Sequence, residues 1–491
     1  MSWRALLVAA ALWFLGIAPS MVAAQPRAAP RALVSRALEA MGGEQAVRGI
    51  NSTVLEFNQA AFGLGQEETP ESPPRAGLLY GRITNDYQGN RREVRQEQRP
   101  PNGPATRQRS VIVGNAGMIE NAEGNRTPAA PGLIAGQQRT LRLQPERLLI
   151  AALDNAASLR ALPARQWRGE MMDGVRFVGA DTVSLYFDRR NGLLTVAETV
   201  ADDPILGDRR TVTWYTRWQS AGPVKLPRQV DVEVNGRLQA HTTIPTATIN
   251  ASLDSSAFVM PDSIMARAQL PATGPAPVVV QLVELAPGVW RAEGGSHHSL
   301  VVEQPTQLVV VEAPQTSARS RAVMDTLRSR FPSKRVGAVV ATHHHWDHAG
   351  GIREYLASGV PVVAHARNAA FVRGIASARK TVAPDALTRR PRQPVIRTVN
   401  DSLTIGEGEG RLVLYHLPAA HAEGILAAYH PGSRLLFTSD VLSPGPTLAQ
   451  PGSAELVAMV RAAGITVDRF AGGHGGVAPW ADVERAATST Q

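Results

Sequence analysis

The stretch that decides the fold of this chain runs from residue 343 to residue 351 and reads His343-His344-His345-Trp346-Asp347-His348-Ala349-Gly350-Gly351. Residues 336–340, just before it, are apolar and predict a buried strand. Residues 352–356, just after it, predict a short helix. A dense group of metal-binding side chains therefore stands where a buried strand ends, and this position disfavours a histidine-rich surface loop.

The spacing of these side chains predicts two metal ions. Alternate residues of an extended chain point the same way, so His343 and His345 can reach one ion. Where the chain turns into the helix, Asp347 and His348 take another direction and can reach a second ion. Imidazole and carboxylate are the ligands that zinc accepts in a catalytic site with an open position for water. The glycines that follow let the backbone fold closely beneath the ligands.

The pattern His343-x-His345-x-Asp347-His348 resembles the HxHxDH signature of the metallo-β-lactamase superfamily. Other segments resemble the opening strands of that family: Ala286-Pro287-Gly288-Val289-Trp290, Gly294-Gly295-Ser296 and Ser299-Leu300-Val301-Val302. The resemblance implies that residues 277–488 form an αββα sandwich, a metallohydrolase domain. Strands are predicted at 300–303, 308–312, 336–342, 412–415, 425–429, 435–438 and 467–471, and helices at 317–330 and 454–463.

The resemblance also implies the rest of the ligand set. By order along the chain, His421 matches the family's third histidine, Asp440 its bridging carboxylate and His474 its last histidine. Two zinc ions are implied, with iron or manganese as alternatives. The implied ligands are His343, His345 and His421 for the first ion, Asp347, His348 and His474 for the second, and Asp440 between them.

Other histidines near the motif have no assigned role from the sequence. His416 is the rival of His421, but it falls within or just after a predicted strand rather than in a loop. His297 and His298 are near a loop that borders the site in this family, where they are candidates for substrate contact. His344 and Trp346 are expected to pack away from the metals.

The implied reaction is hydrolysis of a small molecule. A hydroxide held between the two zinc ions would attack an ester-like bond, as in a lactone or thioester, and Asp347 would be the catalytic residue that orients it and moves a proton. A bridging Asp440 resembles the lactonase and thioesterase groups more than the β-lactamases. One β-lactamase class uses a cysteine ligand, and this chain has no cysteine. A β-lactam substrate remains the alternative.

The first 24 residues predict a signal peptide. Arg4 precedes an apolar run, 5–17, that is too short to span a bilayer, and Val22-Ala23-Ala24 supplies small residues for cleavage near Ala24. A retained N-terminal anchor is the alternative. Together with the absence of cysteine, the signal predicts a bacterial periplasmic or secreted protein.

Residues 28–268 predict a mostly antiparallel β domain of uncertain role. A helix is predicted at 31–41, and short strands follow from 52 to about 258, with turns at Asn191-Gly192 and Asn235-Gly236. Residues 66–74 predict a loop, and 269–276 a linker. This half resembles the periplasmic lipoprotein-carrier fold, so an apolar-ligand-binding protein with a vestigial metal domain is a rival hypothesis. The seven expected ligands argue against decay.

The net charge of +9 does not indicate nucleic-acid binding. All but three of the 51 basic residues are arginines, and they are scattered rather than gathered into a tract. Outside the signal, no run reaches the roughly 18 apolar residues of a membrane span. The predicted partner is a small-molecule substrate, with no nucleic acid, no transmembrane span and no obligate protein partner.

Overall fold

The computed structural model describes residues 29–101, 103–268, 278–445 and 452–489. The predicted signal peptide, 1–24, and the predicted linker, 269–276, lie outside the described residues. Over the described residues the strands form three sheets, of thirteen, seven and six strands. No helix within these ranges is long and apolar enough to cross a membrane.

The first sheet is antiparallel throughout and belongs to the N-terminal region, as predicted. Its first strand pairs with its last, giving the order β6-β5-β4-β3-β2-β1-β13-β12-β11-β10-β9-β8-β7. The strands are β1 (Ser52–Phe62), β2 (Ala76–Asp86), β3 (Arg91–Arg99), β4 (Thr106–Val113), β5 (Ala116–Asn121), β6 (Arg126–Pro128), β7 (Arg160–Trp167), β8 (Glu170–Val178), β9 (Thr182–Asp188), β10 (Leu194–Asp203), β11 (Gly207–Ala221), β12 (Val224–Val234) and β13 (Arg237–Ile249).

Two predicted turns of this sheet are present. Asn235 and Gly236 join β12 to β13 with φ angles of 48° and 84°, the left-handed pair that a tight hairpin requires. Gly192, with φ 76°, lies in the connection from β9 to β10. The predicted loop at 66–74 lies between β1 and β2.

Helices pack on the N-terminal sheet and supply much of its core. The predicted first helix is α1 (Pro30–Met41), whose predicted apolar face is buried. It is followed by α2 (Glu44–Arg48), α3 (Pro131–Arg142), α4 (Pro145–Asp154) and, later, α5 (Asp262–Ala268). The sequence-based prediction of strands from 52 to 258 missed α3 and α4. Each begins with a proline in its first turn, where a proline is tolerated, and α4 buries residues at helical spacing.

The second and third sheets belong to the C-terminal region. The second contains β14 (Gln281–Ala286), β15 (Val289–Glu293), β16 (Ser299–Glu303), β17 (Gln307–Val311), β18 (Arg335–Ala341), β19 (Val362–His365) and β20 (Ile396–Val399), in that order. The third contains β21 (Ser402–Ile405), β22 (Leu412–Leu417), β23 (Ile425–His430), β24 (Leu435–Thr438), β25 (Arg469–Gly472) and β26 (Val477–Pro479).

The helices of this region are α6 (Ser317–Arg330), α7 (Trp346–Ala349), α8 (Ile352–Ala357), α9 (Ala369–Ser377), α10 (Ala386–Arg389), α11 (Gly452–Ala462) and α12 (Trp480–Ser489). The predicted strands and the three predicted helices are present, with boundaries shifted by a few residues at most. The remaining helices of the region, α7, α9, α10 and α12, were not predicted.

The two C-terminal sheets pack face to face between layers of helices. Val309 and Val311 of β17 share one core with Leu414 and Leu426 of the third sheet. Leu308 and its alternate neighbours pack instead under α6, α8 and α9. On the far side, α11 and α12 cover the third sheet. The layers are therefore αββα, and the predicted fold class is confirmed.

Candidate metal centre

The predicted motif lies at the carboxyl end of β18. β18 pairs in parallel with β17 and β19, so its carboxyl end lies between the carboxyl ends of two neighbouring strands. His343, His345 and His348 are each no more than 2% exposed, so the motif is not a surface loop. A Cβ atom on Gly350 would lie 2.0 Å from a main-chain oxygen, and one on Gly351 2.0 Å from a serine hydroxyl. Only glycine fits this close approach.

Three other loops bring the remaining predicted residues to the same place. His421 lies between β22 and β23, Asp440 follows β24 and His474 follows β25. All seven predicted ligands therefore meet at one edge of the sandwich, in groups whose nitrogen and carboxylate oxygen atoms lie within 4.8 Å of one another.

The first group contains His343, His345, His421 and Asp440. Nε2 of His421 lies 2.9 Å from Nδ1 of His345 and 3.3 Å from Oδ2 of Asp440. Nε2 of His343 lies 3.8 Å from the same oxygen. Three imidazole nitrogens and one carboxylate oxygen thus face a common point.

The second group contains Asp347, His348 and His474, joined by His297. Nε2 of His348 lies 3.3 Å from Nε2 of His474 and 3.6 Å from Oδ2 of Asp347. The same Asp347 oxygen lies 3.2 Å from Nε2 of His297. The second group is therefore the predicted one with an additional histidine.

Asp440 lies between the two groups. Its Oδ2 faces His421, whereas its Oδ1 lies 2.9 Å from Nε2 of His348 and 3.0 Å from Nε2 of His474. One carboxylate oxygen is directed to each group, which is the geometry that a bridging ligand requires.

The αββα layering of the C-terminal region is that of the metallo-beta-lactamase fold. Residues 292–482 match the sequence profile of the metallo-beta-lactamase superfamily. Solved structures similar to the chain include the metallo-beta-lactamase from Pontibacter korlensis, which is 15% identical, covers 43% of this chain and 99% of its own, and has a TM-score of 0.35. Another is the metallo-beta-lactamase from Hirschia baltica, which is 20% identical, with 43% and 98% coverage and a TM-score of 0.34.

A curated relative is also similar to part of the chain. The protein is 2,4-dinitroanisole O-demethylase subunit alpha from Nocardioides sp. (strain JS1661), which is 25% identical over 163 residues. The match covers 32% of this chain and 45% of that protein. The chain therefore aligns with less than half of the length of this relative.

Hydrogen bonds at the outer side of the site determine which ring nitrogens face inward. Nε2 of His345 contacts the main-chain oxygen of Glu67, and Nδ1 of His474 that of Ser296. A carbonyl oxygen only accepts, so each of these nitrogens carries the proton. Nδ1 of His348 likewise faces the carboxylate of Glu312. In all three rings the opposite nitrogen is the one that faces the centre.

This donor set fits divalent metal ions. Nε2 of His343 is buried and has no hydrogen-bond partner among the described residues. Several imidazole lone pairs and the Asp440 carboxylate converge on the same small volume, and this arrangement is repulsive unless a cation lies between them. Neutral imidazole and carboxylate are the ligands that divalent zinc, iron and manganese share.

Burial and neighbouring charge shift the pKa values in the site. Burial lowers the pKa of His343 well below its ordinary value and that of His345 to about 3, which keeps both rings neutral. Burial also acts on His348, but the carboxylates of Glu312 and Asp440 outweigh it and raise that pKa. Burial would raise the pKa of Asp347, yet its hydrogen bond from His297 and the nearby His348 hold it below the ordinary value.

The remaining histidines near the motif lie outside both metal groups. His416, the rival of His421, stacks on His365 at 4.4 Å between ring centres and is in neither metal group. His344 contacts the oxygen of Glu67 through Nε2, so it packs away from the metals as expected. His298 belongs to neither group, and its main-chain nitrogen donates to the oxygen of Gly473.

Sequence reasoning missed three residues that touch the site. His297 was a candidate for substrate contact only, although its position in a loop histidine pair was a signal for the second group. Glu312 ends a predicted strand next to β18, and an isolated acidic residue at such a position could have indicated a partner for the motif. Gln66, whose Nε2 lies 2.8 Å from Oδ1 of Asp347, gave no signal because it comes from the N-terminal region.

Proposed function

We propose that this protein is a metal-dependent hydrolase that cleaves an ester-like bond of a small molecule, such as a lactone or a thioester. The observation that carries the proposal is the position of Asp440, whose two carboxylate oxygens face two separate groups of metal-binding side chains. In a vestigial site, we would expect at least one of the two groups to have lost a metal-binding side chain.

In this proposal zinc is the native metal, with two ions per chain. His343, His345 and His421 would hold the first ion. Asp347, His348 and His474 would hold the second ion, and Asp440, which lies between the two groups, could contribute to both. Bound ions would supply an activated water near neutral pH and would stabilise the negative charge that develops on the substrate oxygen.

Asp347 is the proposed catalytic residue because it is the accessible carboxylate of the site. Its side chain is 39% exposed, compared with 12% for Asp440. Its Oδ2 faces the second group, and Oδ1 is held by Gln66. In this position the Asp347 carboxylate can orient the attacking water, accept its proton and deliver that proton to the leaving oxygen or sulfur. His297, 3.2 Å from Oδ2, keeps the carboxylate ionised.

The bond type follows from the ligand chemistry. A bridging Asp440 and the absence of cysteine favour the lactone and thioester groups over β-lactams. The curated relative is named as an O-demethylase of an aromatic methyl ether, so an aryl methyl ether belongs among the compounds to be tested.

The experiment is a hydrolysis panel on zinc-loaded, full-length protein, with lactones, thioesters, β-lactams, phosphodiesters, alkyl sulfates and an aryl methyl ether. We expect turnover of a lactone or thioester that is lost on chelation and restored by zinc. A matched control is His416→Ala, which removes a histidine outside both groups and should keep turnover. Metal content of less than about half an ion per chain after growth with ample metal would overturn the enzyme proposal, since such a site binds tightly.

We also propose that the mature protein is exported and that residues 28–268 and 277–488 are separate domains joined by the linker. Support comes from the signal-like first 24 residues and from the separate sheets of the two regions. Sequencing the mature N-terminus should find a start near Gln25. A chain that retains Met1 in the cell envelope would instead indicate an anchor.

A further inference from the structure

The loop between β1 and β2, residues 63–75, reaches from the N-terminal region onto the metal centre. Its main-chain oxygens accept hydrogen bonds from several C-terminal residues. That of Gly65 accepts from the main-chain nitrogen of Trp346 at 3.2 Å, and that of Glu68 from the main-chain nitrogen of Glu423 at 2.7 Å. The loop is therefore bound both to the motif and to the β22–β23 loop that carries His421, rather than lying free beside them.

Glu67 acts on the metal centre through its main chain. Its oxygen lies 2.9 Å from Nε2 of His345 and therefore holds the proton on that nitrogen. Nδ1 of His345 is left with its lone pair directed at Nε2 of His421, 2.9 Å away. Such a partner fixes both the tautomer and the orientation of a metal-binding imidazole. Among described residues, the C-terminal region supplies no acceptor for this nitrogen.

Gln66 acts through its side chain. Its Nε2 donates to Oδ1 of Asp347 at 2.8 Å, while Oδ2 of the same carboxylate faces His348. Because Asp347 is partly exposed, its Oδ1 would otherwise face solvent, and only the hydrogen bond from His297 to Oδ2 would restrict rotation of the carboxylate. The amide holds one oxygen outward and leaves the other for the metal.

The loop is itself held firmly. The carboxylate of Glu67 is 2% exposed, accepts from the main-chain nitrogen of Gly65 at 2.7 Å and forms an ion pair with Arg237 at the start of β13. Gly65 has φ 82°, and a Cβ atom there would lie 2.2 Å from the indole ring of Trp346. The backbone of the loop packs directly on the motif, with no room for any side chain at residue 65.

From these contacts we infer that the β1–β2 loop is a component of the metal centre, in which the main-chain oxygen of Glu67 positions His345 and the side chain of Gln66 positions Asp347. The inference rests on the proposed metal-dependent function. It assigns the N-terminal region a direct part in metal binding, so the centre is complete only when both regions are present and docked.

The test uses full-length variants and measures metal binding rather than turnover alone. Gly65→Ala should push the loop off Trp346, whereas Gly124→Ala is a matched control, since its φ of 81° imposes the same backbone strain and nothing lies within 4 Å of the added Cβ. In chelator competition, the affinity of Gly65→Ala for the more weakly bound of the two ions should fall about 10- to 100-fold. The affinity of Gly124→Ala should equal that of the wild type. The visible spectrum of the cobalt-substituted protein should change for Gly65→Ala and not for Gly124→Ala.

A second variant keeps the test decisive if Gly65→Ala fails to fold. Gln66→Ala removes one exposed amide, and we expect a weaker second ion and an altered cobalt spectrum with unchanged melting temperature. The inference would be overturned if Gln66→Ala had the metal affinity and the cobalt spectrum of the wild type, and if Gly65→Ala, where it folds, had them too. Wild-type protein that binds no metal at all would instead overturn the proposed function on which the inference rests.

Discussion

The carboxylate of Glu312 accepts a hydrogen bond from Nδ1 of His348, and both side chains are about 1% exposed. A buried carboxylate in this position fixes the tautomer of His348 and increases the basicity of the nitrogen that faces the second group. Glu312 adopts φ 82°, a left-handed conformation that is costly for a residue with a side chain. The fold thus accepts backbone strain at the residue that orients His348.

Glu312→Gln should weaken binding of the second ion about 10- to 100-fold, because the amide retains the shape but loses the charge. Chelator competition measures this affinity. Glu303→Gln is the control, since Glu303 also ends a strand but pairs with Lys334 away from the site. Equal affinities in wild type and Glu312→Gln would show that Glu312 has no part in metal binding.

Asp440→Ala should release chiefly the second ion, because the first keeps three imidazoles. If both ions are required, turnover should fall by about 100-fold or more, or roughly 3 kcal/mol in barrier. Asp440→Asn should lie between the wild type and the alanine variant. Elemental analysis paired with turnover provides the measurement. Full metal occupancy with normal turnover in Asp440→Ala would refute the bridging role and shift the proposed substrate toward β-lactams.

His297→Ala should lower turnover about 10-fold while the protein keeps both ions, since the second group retains Asp347, His348 and His474. The expected cause is loss of the hydrogen bond from Nε2 of His297 to Asp347. Elemental analysis and turnover of one preparation test this. Loss of one ion from His297→Ala would make His297 a ligand instead.

Arg353 and Asp385 form a buried ion pair that joins α8 to α10. The Arg353 side chain is 2% exposed and Asp385 15%, and Nη2 of Arg353 lies 3.0 Å from Oδ1 of Asp385. Asp385→Ala should lower the free energy of unfolding by about 3 kcal/mol, since it leaves a buried guanidinium without its counter-ion. Glu354→Ala, which loses an ion pair to the exposed Arg321, should lower the free energy of unfolding by about 1 kcal/mol or less. Urea unfolding gives both values.

The same pair predicts acid sensitivity. Burial raises the pKa of Asp385, but hydrogen bonds from Arg353 and Thr388 outweigh this and hold it well below its ordinary value. Because the folded pKa is the lower one, its contribution to stability is present above the unfolded pKa and is lost as pH falls below about 4. Asp385→Asn should therefore show a shallower loss of stability over that range. Parallel acid-unfolding curves for Asp385→Asn and wild type would refute this.

The metal site was predictable where local order determines position. The strand before His343 and the glycines after His348 identify a sheet-edge site, and the order of His421, Asp440 and His474 along the chain agrees with the place where the fold brings them together. The residues around the ligands were not predictable in this way. Glu312 and Gln66 reach the site through tertiary contacts, 36 and 281 positions away from their partners; the strand end at Glu312 is a weak local signal, and the local sequence of Gln66 gives none.

The N-terminal region shows the same limit. Its turns followed from Asn235 and Gly236, because a tight hairpin needs two left-handed residues. The pairing of β1 with β13 could not be inferred from the sequence. The alternation of apolar and polar residues predicts a strand but does not identify a partner strand that is far away in the chain. α4 was missed because its buried side chains lie within a long stretch of strands.

The contact between Glu67 and His345 joins residues 278 positions apart, and this separation bears on how the protein folds. Closing so long a segment is slow, and a chain of this length folds region by region. The N-terminal sheet is synthesised first and presents its loop before any of the motif histidines exist. The first metal site thus acquires its final geometry late, when the C-terminal region docks against the N-terminal region. If docking is delayed, a compact intermediate that binds metal weakly would accumulate.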